Sequence, residues 1–211
     1  MNRFNKFSVP LGLLDYVNPI CYTVTMTVLV KYLFPVMGAP WNILFLAGAV
    51  LSVVFGFVIP TGKVLVGLGI VKFRMPVSLV FTVNSGILVS GLMLFRHVFR
   101  LPLFFFPGLV FLIIAALSFL YSRKKKVNTV AVLTGACGYL LLYISLITLS
   151  VQSGYILPVF LYGIAILLFV FLCGVGIKAN LYDPKVHWII EICNVICQFL
   201  VALSTVLLFA R

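Results

Sequence analysis

Acidic residues are nearly missing from this chain of 211 residues, which has only three Asp and Glu against 15 Lys and Arg. Charged residues of both signs make up 9% of the sequence, compared with about 25% in soluble domains. This scarcity, together with 64% hydrophobic residues, excludes an ordinary soluble domain and predicts a protein embedded in lipid. The basic excess then predicts cytoplasmic loops and contact with anionic lipid headgroups. Nucleic acid is not an expected partner, because the segments between the apolar runs are too short to build a binding module.

Histidine is also scarce, and cysteine is missing from the hydrophilic segments. The two histidines, His97 and His187, are predicted near opposite faces of the membrane, so a zinc site with three protein ligands is not evident. All five cysteines fall within apolar runs, which argues against a disulfide framework. No base is apparent for a serine nucleophile, and no second membrane aspartate for aspartyl chemistry. These absences make an enzyme the less favoured class and predict neither a metal nor a cofactor.

Long apolar runs occupy most of the chain. They are continuous rather than alternating, and each has about the 20 residues that a helix needs to cross a hydrocarbon core of about 30 Å. We therefore predict an all-α, polytopic transmembrane helix bundle, with residues 1–211 as a single integral membrane domain and no soluble domain. The predicted spans are 13–34, 41–60, 76–96, 102–122, 128–150, 155–177 and 187–209. If residues 8–34 instead lie along the interface, six spans remain.

The basic residues predict an orientation. Placing the amino terminus in the cytoplasm puts eleven of the 15 Lys and Arg residues inside, including Lys63 in a cytoplasmic loop, and the carboxyl terminus outside. With six spans, both ends would lie outside. A prokaryotic plasma membrane fits the compact chain. The strongest local charge motif is expected to contact headgroups at the cytoplasmic leaflet and consists of Arg123, Lys124, Lys125 and Lys126.

A line of polar residues runs through the last apolar segment. His187, Glu191, Asn194, Gln198 and Thr205 follow one another at spacings of 4, 3, 4 and 7, which places them on one face of one helix. A charged side chain inside a bilayer costs roughly 2.5 to 3.5 kcal/mol on insertion scales, so it normally faces a bundle interior, a partner or a water path. Asn84 and Thr82 of the third span are expected to join this polar core.

These residues lead to three functional hypotheses. The first is a small transporter or channel-like protein for an unknown solute or ion, in which Glu191 couples movement to a proton or cation and Asn84 is its hydrogen-bond partner. The second is a non-catalytic membrane subunit or lipid-sensing protein whose polar stripe faces a partner. The third is an intramembrane lipid-modifying enzyme. A homo-oligomer is compatible with each. If Asn18 caps the first helix and the helix begins at Pro19, Asp15 is expected at the headgroup level.

Small residues recur at helical spacing in two of the spans. Gly48, Ser52 and Gly56 follow one another every four residues in the second span, and Gly86 and Ser90 do so in the third. Small residues at this spacing let helix backbones approach closely, which is how helices associate in lipid. We therefore predict that these five positions form helix packing surfaces.

A weak internal repeat relates residues 13–96 to residues 128–209, with the helix at 102–122 as the link. Four positions of the second span and the segment after it have identical counterparts at a constant offset of 115: Phe45, Leu46, Gly48 and Lys63 match Phe160, Leu161, Gly163 and Lys178. Parallel repeats of this kind occur in transporters, so the pattern favours the first hypothesis.

Overall fold

The computed structural model describes residues 8–71, 77–101, 127–178 and 184–210, which are helical apart from short connections. The helices are α1 Val9–Asp15, α2 Val17–Met37, α3 Trp41–Gly67, α4 Val77–Phe99, α5 Val127–Gln152, α6 Ile156–Lys178 and α7 Pro184–Phe209. Six helical segments in these residues are long and apolar enough to cross a membrane, the first comprising α1 and α2 together. The chain is therefore a helical integral membrane protein, as predicted. The predicted span at 102–122 lies outside the described residues.

Six helices form a closed ring. Each helix from α2 to α7 packs against the next described helix, and α7 packs back against α2. The short helix α1 packs against α3 and α7. Residues 17–37 thus take a place in the ring as a span, which argues against the alternative of an interfacial helix at 8–34.

The helices α4 and α5 run in the same direction. Gly135 lies against Asn84, and Gly138, one turn further along α5, lies against Leu88, one turn further along α4. The end of α4 and the beginning of α5 are therefore at opposite ends of the bundle.

The two sets of three helices, α2 to α4 and α5 to α7, follow one another around the ring in the same order. The helices of the two sets also run in matching directions at both places where the sets meet. There α5 is parallel to α4, and α7 is parallel to α2, since Glu191 is near Asn18 at one end and Phe209 is stacked on Tyr32 at the other. A parallel duplication would produce this arrangement. The duplication itself stays a prediction.

The second predicted span was too short at its carboxyl end. We expected it to end at Pro60 and to be followed by a cytoplasmic loop, but α3 continues to Gly67. Proline removes one backbone N–H and usually ends a helix in water. Within a membrane bundle such a proline is tolerated, because neighbouring groups satisfy the freed backbone carbonyl. The extension carries Lys63 into the packed bundle, where it is buried.

Candidate functional site

A buried cluster of charged residues lies at the end of the bundle where α3 ends and α7 begins. The Lys63 Nζ atom is 2.7 Å from Asp15 Oδ2 and 2.6 Å from Glu191 Oε1. The exposed fractions of the three side chains are 9% for Lys63, 10% for Asp15 and 8% for Glu191. One ammonium group thus joins α1, α3 and α7.

Two further side chains complete this cluster. The Asn18 Nδ2 atom donates a hydrogen bond of 2.9 Å to Asp15 Oδ1 and lies 3.5 Å from Glu191 Oε2. The His187 Nε2 atom, one turn before Glu191 on α7, is 3.7 Å from Glu191 Oε1. We refer to Asp15, Asn18, Lys63, His187 and Glu191 as the charged cluster.

A close approach of α1 to α3 brings Asp15 into the cluster. A Cβ atom added to Gly12 would lie 2.9 Å from the Val64 Cγ2 atom and 3.0 Å from the Val64 backbone nitrogen, so a larger residue would force α1 and α3 to shift at this contact. At the same junction the hydroxyl groups of Tyr16 and Thr61 are 2.6 Å apart. Asp15, the last residue of α1, is buried and paired with Lys63, and its depth relative to the headgroups stays a prediction.

The prediction for Lys63 was wrong, because this residue lies in α3 and not in a cytoplasmic loop. It is a partner of Glu191, a position that we had given to Asn84. A signal was present in the sequence, because Lys63 is the one charged residue between Val53 and Val71, and a lone charge in an apolar segment requires a counter-charge. The pairing with Asp15 and Glu191 was not readable, since these residues are 48 and 128 positions away along the chain.

The polar stripe of α7 faces the inside of the ring. Glu191, Gln198 and Thr205 are buried, and Asn194 is half-buried. The opposite side of the same helix is apolar and exposed, with Ile189, Ile192, Ile196, Phe199 and Leu203. A stripe that served a partner outside the bundle would have the reverse orientation, so this geometry argues against the second hypothesis.

The centre of the ring, about one to three turns deeper than the charged cluster, contains aromatic and hydroxyl side chains. The Tyr22 hydroxyl oxygen lies 3.2 Å from that of Ser52 and 3.3 Å from that of Ser90. Tyr139 packs edge-on against Tyr22, and the buried Gln198 side chain lies near the Tyr139 hydroxyl. These five residues, which we call the central polar layer, come from α2, α3, α4, α5 and α7.

Asn84 and Thr82 lie elsewhere. The Asn84 side chain packs against Gly135 of α5, and the Thr82 hydroxyl donates to the Ser78 carbonyl of its own helix at 2.8 Å. The structure therefore brings His187 and Gln198 into line with Glu191 but leaves Asn84 at the α4–α5 contact. Arg123, Lys124, Lys125 and Lys126, which we expected at the headgroups, lie outside the described residues.

The small residues of α3 and α4 face one another. A Cβ atom added to Gly48 would lie 2.8 Å from the Gly86 carbonyl oxygen, and one added to Gly86 would lie 2.7 Å from the Gly48 carbonyl oxygen. Ser52 and Ser90 flank this crossing, each with its hydroxyl bonded to a carbonyl of its own helix. Gly56 lies against Pro19 of α2 instead, at an ordinary contact distance of 3.5 Å.

A cavity of about 320 Å³ opens at the opposite end of the bundle from the charged cluster. It lies between the ends of α2, α5 and α7, and its lining residues are Tyr32, Leu149, Ser153, Tyr155, Leu208 and Phe209. Ion pairs thus connect the helices at one end of the bundle, and a cavity opens at the other end.

Similarity to other proteins assigns no family to this chain. Comparisons with protein-family models, curated proteins and solved structures found no match. Function is therefore argued from the site alone.

Proposed function

We propose that this protein is a small membrane transporter in which the charged cluster closes one end of a polar path through the helix ring. The observation that carries the proposal is the ion-paired bridge of Lys63 to Asp15 and Glu191 across three helices. Ionisable residues inside a membrane are costly and mark substrate and ion pathways. The cluster contains two of the three acidic residues of the whole chain, so its charge is concentrated at this one place.

A gate explains the cluster better than simple helix adhesion does. The ring has two junctions between its sets of three helices, α7 with α2 and α4 with α5. The charged cluster lies at the first junction, whereas glycine packing between Gly91 and Gly138 forms the second. Tight glycine packing is stable in lipid without charges. In an ion pair, in contrast, each charged group can be hydrated once water enters the junction. The first junction can therefore open while the second serves as a hinge.

The path would run from the charged cluster through the central polar layer to the cavity at the other end. The hydroxyl and amide groups of Tyr22, Ser52, Ser90, Tyr139 and Gln198 can replace part of the hydration shell of a polar solute. Their rearrangement is required for passage, since the described side chains of this layer are packed against one another. The structure then corresponds to a conformation closed at the charged cluster.

The proposed orientation follows from the distribution of basic residues. With the amino terminus in the cytoplasm, the charged cluster faces the cytoplasm and the cavity of about 320 Å³ faces the outside. The proposed setting is a prokaryotic plasma membrane, with Arg123 to Lys126 at its anionic headgroups. The transported species would be a small solute or ion.

Water access to position 198 tests the path, because Gln198 lies between the charged cluster and the cavity. We expect Gln198→Cys, in a background without the five native cysteines, to react with a membrane-impermeant maleimide applied from the cavity side. Adding Glu191→Gln releases α7 from Lys63, so labelling from the cluster side should rise at least several-fold.

Two control positions make this labelling experiment decisive. Ile196→Cys, on the lipid-facing side of the same helix, should stay unlabelled, and the exposed Ser153→Cys should label from the cavity side in every background. If Ser153→Cys reacts while Gln198→Cys is inert from both sides, with and without Glu191→Gln, there is no hydrated path. The charged cluster would then serve only to hold the helices together.

A further inference from the structure

The formal charges of the three ion-paired side chains in the charged cluster do not balance. Asp15 and Glu191 each bring one negative charge when ionised, and Lys63 brings one positive charge. All three side chains are at least nine-tenths buried, and they lie in segments that span the membrane. An uncompensated charge in such an environment is expensive, so the folded state favours one additional positive charge at this place.

The geometry of the carboxyl groups shows where that charge can reside. Asp15 Oδ2 and Glu191 Oε1 lie 2.7 and 2.6 Å from the same Lys63 nitrogen, so one ammonium group holds the two carboxyl groups next to each other. Two carboxylates so close repel unless one carries a proton that it donates to the other. A pair of carboxyl groups that shares one proton, beside one ammonium group, is electrically neutral.

The groups around the carboxyl pair are suited to a proton and unsuited to a metal cation. Lys63 Nζ and Asn18 Nδ2 both present hydrogen atoms to the carboxylate oxygens, whereas Na⁺ or another hard cation needs oxygen ligands on all sides. Lys63 Nζ already occupies the position between the two carboxyl groups. Within the described part of the chain, no three His, Cys, Asp or Glu side chains form a metal-binding group.

Among the described side chains, the other titratable groups near Glu191 are less able to hold the charge. His187 Nε2 is 3.7 Å from Glu191 Oε1, which is beyond hydrogen-bonding distance, and its side chain is 22% exposed. Lys185, at the start of α7, is exposed. The Tyr16 hydroxyl, between α1 and α2, is hydrogen-bonded to the Thr61 hydroxyl of α3. On α6, the thiol in this half of the bundle is that of Cys173.

From this geometry we infer that the charged cluster is a binding site for a single proton, shared between Asp15 and Glu191, and that this proton is the coupling ion of the transporter. The inference rests on the proposed function for its coupling role. A carboxylate takes up H⁺ from water at the cluster end and becomes a carboxylic acid that donates to its neighbour. Loss of the proton leaves two repelling carboxylates and a net negative charge, which favours hydration and opening of the junction.

Infrared spectroscopy can test the proton site without any transport assay. The chain has only three acidic side chains, so few carboxyl signals overlap. In difference spectra of the purified protein in lipid, recorded as the pH changes, we expect the carbonyl stretch of one carboxylic acid per chain at a pH where exposed carboxyl groups are ionised. Both Asp15→Asn and Glu191→Gln should abolish it, because either variant leaves Lys63 with one carboxylate in a neutral pair. Asp183→Asn is the matched control and should retain it.

Three results would overturn the proton site. They are the absence of the carbonyl signal from the folded protein, a shift of its midpoint when choline is replaced by Na⁺ at constant ionic strength, and a titration lost in His187→Asn but kept in Glu191→Gln. The outcome is independent of the labelling of Gln198→Cys. If the carboxyl pair titrates but Gln198→Cys is inert, the proton site is supported and the transporter proposal is refuted. If Gln198→Cys is labelled but no carboxyl pair titrates, the path is supported and the proton is excluded as the coupling ion.

Discussion

Replacing Lys63 with methionine is expected to destabilise the folded protein by about 3 to 5 kcal/mol, the usual cost of removing one partner from a buried ion pair. Methionine fills a similar volume but leaves the carboxyl groups of Asp15 and Glu191 buried without their ammonium partner. These groups lie 2.7 and 2.6 Å from Lys63 Nζ in the folded protein. The effect should appear in thermal unfolding in detergent, as a lower midpoint for the loss of monodisperse protein.

Lys31→Met is the matched control for this substitution. Lys31 is exposed and its ammonium group lies 5.1 Å from the centre of the Tyr32 ring, so the same change there removes only a weak contact. A rescue separates charge from packing, because Lys63→Met combined with Asp15→Asn and Glu191→Gln makes the cluster neutral. The triple variant should regain most of the lost stability. Equal unfolding midpoints for Lys63→Met and Lys31→Met would refute the ion-paired cluster.

Adding one methyl group at Gly86 is expected to cost about 1 to 3 kcal/mol, the usual range for overpacking a tight contact. The new Cβ atom of Gly86→Ala would lie 2.7 Å from the Gly48 carbonyl oxygen and 2.8 Å from the Ser52 nitrogen. Both are backbone atoms, so α3 and α4 must move apart to relieve the contact. The same thermal unfolding measurement reports this effect.

Gly163→Ala provides the comparison, because this helical glycine of α6 has no heavy atom within 4 Å of an added Cβ. Alanine normally favours a helix over glycine by about 0.5 to 1 kcal/mol, so this variant should match or slightly exceed the native stability. The two variants differ only in what the added methyl group meets. If Gly86→Ala is as stable as Gly163→Ala, the α3–α4 crossing is not close-packed as described.

Much of the fold was readable from the sequence because the bilayer constrains it strongly. A span needs a continuous apolar run of about 20 residues, and the six spans of the described residues begin and end within a few residues of the predicted bounds, except where α3 continues to Gly67. The polar stripe was readable for the same reason, since a period of 3.6 residues places Glu191 and Gln198 on one helix face. Their burial follows from the cost of exposing them to lipid.

The ion-pair partners of Glu191 could not be predicted from the sequence, because ion pairs between helices that are distant along the chain depend on how the helices pack. The sequence by itself determined that this is a helical membrane protein with a carboxylate inside its last span. Only the tertiary structure decided that Gly12 admits α1 against α3, that Lys63 belongs to a helix rather than a loop, and that its ammonium group joins Asp15 to Glu191. Apolar length is a local property of the chain, whereas charge neutralisation requires three segments that meet only in the folded ring.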